Sequence, residues 1–240
     1  MSQVHGSAQS AISSPASEGA QKQLRTDLFG AAHMRSELTA WAEEGSYFKA
    51  CNTTMGTGVA MGIQTTFSDT ANVLFLMRSS SATKTIIPHY IRLVNTAAGA
   101  TTTSSHLAVV LDTANRYSTG GTDLTTNVYN ANSSMGASSV VDVLRYNCTA
   151  AAAVSKRQVA RAGLKTAGAP CWVVGDEVRI VFREEMDSAI FNATTPGKYT
   201  CNVGPLAIKG ANHCLLVHMW NPANATTAPS WEFEIAWWER

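Results

Sequence analysis

Across residues 57–240, short runs of alternating apolar and polar positions follow one another, separated by segments rich in Ala, Ser, Thr, Asn and Gly. Alternation with a period of two marks a half-buried strand, because successive side chains point to opposite faces. Trp231-Glu232-Phe233-Glu234-Ile235-Ala236-Trp237 is the clearest run: Trp231, Phe233, Ile235 and Trp237 line one face, and Glu232 and Glu234 the other. The same reading predicts strands over 59–67, 72–78, 85–94, 106–111, 140–147, 177–182, 213–220 and 230–238, with weaker patterns over 124–129, 154–163 and 205–209. Gly120-Gly121, Gly175-Asp176 and Pro196-Gly197 supply turn chemistry between them. Pro88 interrupts the 85–94 run, and a proline donates no ladder hydrogen bond, so that strand lies on an edge or is bulged there.

The N-terminal part reads differently. Residues 1–19 are small and polar without periodicity, as in a flexible or partner-ordered arm. Over 20–44, Leu24, Leu28, Ala31 or Ala32, Arg35, Leu38 and Trp41 or Ala42 recur near helical spacing, punctuated by Gly30 and Gly45. The chain therefore divides into an arm with short helices, 1–45, and a β domain, 46–240. Eight to eleven strands without alternating helices predict an all-β fold, an antiparallel β-sandwich or jelly roll.

Composition narrows the function classes. The 240 residues are 45% hydrophobic, enough for a sizeable core, but only 15% charged, against about a quarter in an ordinary globular chain. So neutral a surface suits a protein largely covered by neighbours. A net charge of +1 provides no basic field for binding nucleic acid by counterion release. The N-terminus has neither the basic nor the apolar region of a signal peptide, and no apolar run of about 18 residues offers a membrane span. Cys51, Cys148, Cys171, Cys201 and Cys214 are odd in number and lack CxxC spacing, which reads as buried free thiols in a reducing cytoplasm. Five Asn-x-Ser/Thr sites, at Asn52, Asn132, Asn147, Asn192 and Asn224, read as by-products of Asn/Thr-rich loops.

Candidate chemistry is sparse. His213, Cys214 and His218 resemble a metal cluster, but on a strand His213 faces away from the other two, and one ion would not gather all three. Glu184, Glu185 and Asp187 follow the 177–182 strand; they read as a solvated turn before acid/base or calcium chemistry. Asp112, Asp123 and Asp176 flank turns, where Asp bonds its own backbone. Met55-Gly56-Thr57-Gly58 lacks a Walker lysine and dinucleotide-binding spacing. Neither G-x-S-x-G nor H-E-x-x-H occurs. Lys156, Arg157, Arg161 and Lys165 would share a side if helical; they read as a solvated or interface face before a grip on nucleic acid or an acidic neighbour, and no aromatics interleave them for base stacking. No cofactor is implied. Trp237 and Trp238 are adjacent, so one of them leaves its sheet's core, and Trp41, Trp237 and Trp238 are contact candidates.

The strand His106-Leu107-Ala108-Val109-Val110-Leu111-Asp112 is followed by Asn115-Arg116-Tyr117-Ser118-Thr119-Gly120-Gly121-Thr122. A strand ending in Asp before an Asn-Arg-aromatic-Ser-x-Gly-Gly-Thr loop resembles accessory virion proteins of tailed bacteriophages. The segment in which Val174-Gly175-Asp176 leads into Val178-Arg179-Ile180-Val181-Phe182 resembles the same group. The resemblance implies β-sandwich domains that decorate or cement heads or sit on tails, often as trimers. It brings no catalytic residues and casts Asn115, Arg116, Tyr117, Gly120, Gly121 and Thr122 as structural or contact elements. Its leading expectation is a non-enzymatic decoration, cement or minor capsid protein, assembled in the host cytoplasm and carried in the virion, with the major capsid protein or other virion proteins as partners. The alternatives are a tail or fibre module that binds glycans through Trp238 or Tyr117, and a sandwich-fold hydrolase using Glu184, Glu185 or Asp187.

Overall fold

The computed structural model describes residues 37–52, 54–62, 64–99, 104–136, 138–166, 172–182, 197–220 and 228–240. In chain order these form helix α1 (Glu37–Glu43) and strands β1 (Tyr47–Cys51), β2 (Val59–Ala60), β3 (Val73–Ser79), β4 (Thr85–Ala97), β5 (Ser104–Asp112), β6 (Tyr117–Thr119), β7 (Thr122–Asp123), β8 (Val128–Asn130), β9 (Val141–Ala150), β10 (Arg157–Thr166), β11 (Glu177–Val181), β12 (Lys198–Asn202), β13 (Ile208–Lys209), β14 (Cys214–Trp220) and β15 (Ser230–Glu239). A 3-10 turn over Thr125–Asn127 precedes β8.

The strands build two sheets packed face to face. Sheet I runs β12-β11-β4-β15-β1-β8, with β13 beside β4 and β2 beside β15; sheet II runs β10-β5-β14-β3-β9-β6, with β7 also on β9. Sheet I thus contains the four-strand run β1-β15-β4-β11 and sheet II the run β3-β14-β5-β10, and the chain changes sheet between β2 and β3, β3 and β4, β4 and β5, β7 and β8, β8 and β9, β10 and β11, β13 and β14, and β14 and β15. This is a jelly-roll-like sandwich. The segment between β5 and β10 widens both sheets, adding β9, β6 and β7 beyond β3 and adding β8 beyond β1. Pairing is antiparallel except between β11 and β12. That parallel pair needs the long connection over 182–197, because parallel neighbours cannot be joined by a tight hairpin.

Trp231, Phe233, Ile235 and Trp237 lie in the inter-sheet core, as the alternation predicts. Aromatic edges fill it: Phe75 meets Tyr146 at 5.1 Å and Phe233 at 5.3 Å, and Trp172 meets Trp231 at 4.9 Å. The Glu239 carboxylate, buried where the sheets meet, accepts from Trp237 Nε1 (3.0 Å) on β15 and from Val140 N (3.0 Å) and Ser139 Oγ (2.5 Å) just before β9. Three donors satisfy a group that would be costly to bury alone.

Of the two options for Pro88, the structure takes the bulge. β4 is interior to sheet I, and its register with β15 shifts between Ala236↔Tyr90 and Trp237↔Pro88. On the other side, β11 reaches Tyr90 and β13 begins opposite Ile86, so the missing N–H falls between two neighbours.

Several boundaries differ from the sequence reading. The strand expected over 59–67 shrinks to β2, and the weak 124–129 pattern becomes the 3-10 turn and the start of β8. β1 and β12 carry no prediction, yet β1 lies between β15 and β8. The basic cluster is not helical, because Arg157, Arg161 and Lys165 lie on β10, which pairs with β5. Gly120-Gly121 is a jog rather than a reversal. β6 and β7 run on along the same strand, β9. Both glycines have positive φ, and a Cβ on Gly121 would lie 2.8 Å from the Tyr146 carbonyl and 2.7 Å from Cys148 Cβ.

Residues 1–36 of the expected arm lie outside the described residues. α1 packs on the outer face of sheet I, where the Trp41 ring stacks on Trp238 at 4.2 Å. Tyr47 and Ala236 complete this small cluster. Trp41→Ala is expected to uncover Trp238 and to cost about 3 kcal/mol, measured as a lowered urea midpoint with a red-shifted tryptophan emission maximum.

Candidate functional site

The loop singled out by its motif lies over the outer face of sheet II, which has an apolar layer of its own. β14 has no exposed position. Its Leu215, Val217 and Met219 enter the inter-sheet core, and Cys214 and Leu216 join Val73, Leu76, Val110, Val143, Cys148 and Ala150 on the outer side. A sheet apolar on both faces has to be covered on both. The connection from β5 to β6 supplies part of the cover, and Arg116 fastens it.

The Arg116 guanidinium is fully buried and meets four oxygens. Nε donates to the Ala151 carbonyl (2.8 Å), Nη1 to Asp112 Oδ2 (3.0 Å), and Nη2 to the Asp69 carbonyl (2.8 Å), with Asp69 Oδ2 at 3.3 Å. Its backbone N–H points at Cys214 Sγ (3.4 Å), and its carbonyl accepts from Ala151 N (2.6 Å). One planar cation thus ties together the end of β5, the turn before β3 and the segment after β9; the fork of five donors suits arginine for this. Asp112 is also fully buried and accepts from the N–H groups of Ala114 (3.1 Å), Val154 (3.2 Å) and Ser155 (3.1 Å) as well as from Arg116. Burial alone would raise the Asp112 pKa, but the Ser155 and Val154 N–H groups and the Arg116 guanidinium outweigh it and hold the carboxyl below its ordinary value.

The outer surface of this loop is polar and uncharged. Asn115, Ser118, Thr119, Gly120, Gly121 and Thr122 are exposed. Asn115 Oδ1 accepts from Tyr117 N (3.1 Å), and the Tyr117 hydroxyl donates to the Gly120 carbonyl (3.2 Å). The Tyr117 ring is half-buried beneath the Arg145 guanidinium, 5.1 Å from its centroid.

The structure therefore divides the contact candidates. Asn115, Gly120 and Gly121 are on the surface with Thr122, and Tyr117 is partly so. Arg116, Trp41, Trp237 and Trp238 are buried within the chain and offer no free surface. Trp237 fills the inter-sheet core. Trp238 does leave that core, as adjacency requires, but Trp41 covers the platform that a sugar would use.

Cys214 and His218 share the outer face of β14, whereas His213 precedes the strand and lines a cleft at the end of the sandwich. Among the described residues no group of three or more His, Cys, Asp or Glu side chains is placed to hold a metal ion, and no helix is long and apolar enough to cross a membrane. Glu184, Glu185, Asp187 and Cys171 lie outside the described residues. Cys148, Cys201 and Cys214 are buried free thiols as expected, but Cys51 is a free thiol exposed at the end of β1, where the strand leaves the core. Comparison with protein-family models, with curated proteins and with solved structures gives no match.

What sequence reasoning missed is the lock itself. Asp112 and Arg116, four residues apart at the end of an apolar strand, were the available signal. Arg116→Met is expected to cost about 3–5 kcal/mol, since it leaves Asp112 buried and uncompensated. Arg116→Lys should recover only part of that, because one ammonium cannot reach Asp112, Ala151 and Asp69 together; urea midpoints compare the two.

His218 is a second buried group in this layer. It is 0% exposed, and neither ring nitrogen has a hydrogen-bond partner. The Phe67 ring packs edge-on at 5.3 Å. Burial depresses its pKa from 6.5 to about 4; Asp69 opposes this, and Arg116 and Lys156 add to it. The unfolded chain therefore binds a proton first, so stability falls as pH drops from about 6.5 towards 4, by on the order of 3 kcal/mol. His218→Gln is expected to remove this contribution, so the difference in unfolding free energy between wild type and variant should change by that amount between pH 7 and pH 4.

Proposed function

We propose that this chain is a structural protein of a tailed-phage particle, a decoration, cement or minor capsid component that acts through contacts between subunits. The observation that carries this reading is the uncharged ridge of Asn115, Ser118, Thr119, Gly120, Gly121 and Thr122, exposed along the edge of sheet II where β6 and β7 pair with β9, and anchored at its start by the buried Arg116. Small polar side chains can be covered without desolvating a charge, and a loop already fixed by its own chain loses little entropy when a neighbour docks. The jelly-roll-like sandwich supports it, as an architecture common in capsid shells, although lectin domains use it too. The low charge content and the resemblance of the motif loop to accessory virion proteins point the same way. The partners would be the major capsid protein or other virion proteins, with further copies of this chain in a trimer. A stable contact buries on the order of 1,200–2,000 Å², so several loops must contribute beside this one.

Light scattering on the full chain is expected to report a homotrimer, and the chain is expected to co-sediment with phage heads. Thr119→Arg combined with Thr122→Arg, both on the exposed ridge, should keep the wild-type midpoint of thermal unfolding and lose co-sedimentation by tenfold or more. A wild-type chain that remains monomeric and never co-sediments with heads overturns the proposal.

A further inference from the structure

Where β5 ends and β14 begins, residues of the two sheets enclose a cleft of about 170 Å³. Asp112, Thr113, Ser155 and Arg157 line it from sheet II, and Lys209 from sheet I, with His213 between them. Its one acidic group has no capacity left for a ligand cation. Asp112 Oδ1 takes the Ala114 and Ser155 N–H groups and the Ser155 hydroxyl, and Oδ2 takes Arg116 and the Val154 N–H. Its charge is matched by the buried guanidinium.

The rest of the wall combines the apolar Leu111, Ala207, Ile208 and Cys214 with two cations, Arg157 and Lys209. Arg157 and Lys209 are exposed and, among the described residues, have no acidic partner, unlike Lys156, which pairs with Asp69 at 3.4 Å. The Thr113 and Ser155 hydroxyls hydrogen-bond each other at the rim. The His213 ring lies against Gly210, where a Cβ would come within 2.7 Å of Nε2 and where φ is +132°. A side chain at 210 would push the imidazole out of its place, so the backbone is shaped to seat the ring in the cleft wall.

We infer that this cleft binds an oxyanion, a single carboxylate or phosphate group, gripped by Arg157 and Lys209 and hydrogen-bonded by His213. Two cations from different sheets, brought together without a counter-charge, repel each other, and an anion between them relieves that repulsion. A guanidinium offers paired N–H donors to two oxygens at once, and the ammonium adds a point charge. The cleft is large enough for one such group. The inference stands apart from the virion reading, since a cement protein, a lectin and an enzyme could each carry the site.

The test titrates the full chain with sodium phosphate and, separately, sodium acetate, at constant ionic strength held with sodium chloride, following the histidine ring signals by NMR. A saturable shift of the His213 signal in the millimolar range is expected. Arg157→Gln combined with Lys209→Gln should weaken it at least tenfold, and Arg161→Gln, on the same strand with its guanidinium over Trp220, should leave it unchanged. Preference for acetate assigns the site to a carboxylate, such as an acidic side chain of a partner; preference for phosphate assigns it to a phosphoryl group. The absence of saturation with both anions, or an equal response in the double variant and wild type, overturns the inference. If the double variant does not fold, the wild-type titration and the competition of the two anions for one His213 shift decide alone.

Discussion

The central strands of sheet II are apolar on both faces, and much of the structure follows from that constraint. In β3 and β14 nearly every side chain is buried. The inner positions are satisfied by sheet I, which contributes Trp231, Phe233, Ile235 and Trp237. The outer positions cannot be left to water, so the connections around sheet II fold over them. These connections are polar backbone, and placing them on an apolar layer strands N–H and C=O groups unless partners are found. Arg116 and Asp112 meet that need: two buried charges neutralise each other and between them serve three chain segments. The exposed ridge continues from this cover along the edge of sheet II, where β6 and β7 pair with β9.

Sheet I solves its outer face differently. Glu234 accepts from Lys49 Nζ (2.8 Å) and from the Tyr90 hydroxyl (2.5 Å). Burial pushes its pKa up, but these two donors outweigh it and keep the carboxyl below its ordinary value. A charged, hydrogen-bonded face tolerates water, whereas its apolar corner at Trp238 needs a lid, which α1 supplies. The two faces therefore differ in what they can offer a partner. Sheet I presents paired charges whose desolvation is costly, whereas the loop over sheet II presents small neutral groups.

Much of the fold was legible in the sequence. The alternation in β15 assigned its inner face residue by residue, and Pro88 correctly announced an irregularity. β12 could have been read from Tyr199 and Cys201, which alternate with Lys198, Thr200 and Asn202 and point inwards, but five residues between loops make a weak pattern. β1 was hidden by its position directly after a helical run. The candidate site was half legible. The motif located the loop, but side-chain type alone could not show that its arginine faces inwards or that its tryptophan companions are consumed by the chain's own packing.

By itself the sequence determined the local alternatives: where most of the long strands run, which of their faces is apolar, where glycine permits a left-handed backbone, and that charge is scarce. These follow from side-chain periodicity and backbone sterics, which act over a few residues. Only the tertiary structure decided what covers what. Arg116 on Asp69 and Trp41 on Trp238 join residues distant in the chain, and Arg157 and Lys209 come to line one cleft from different sheets; whether a side chain is a contact surface or a buried lock depends on which segment folds over it.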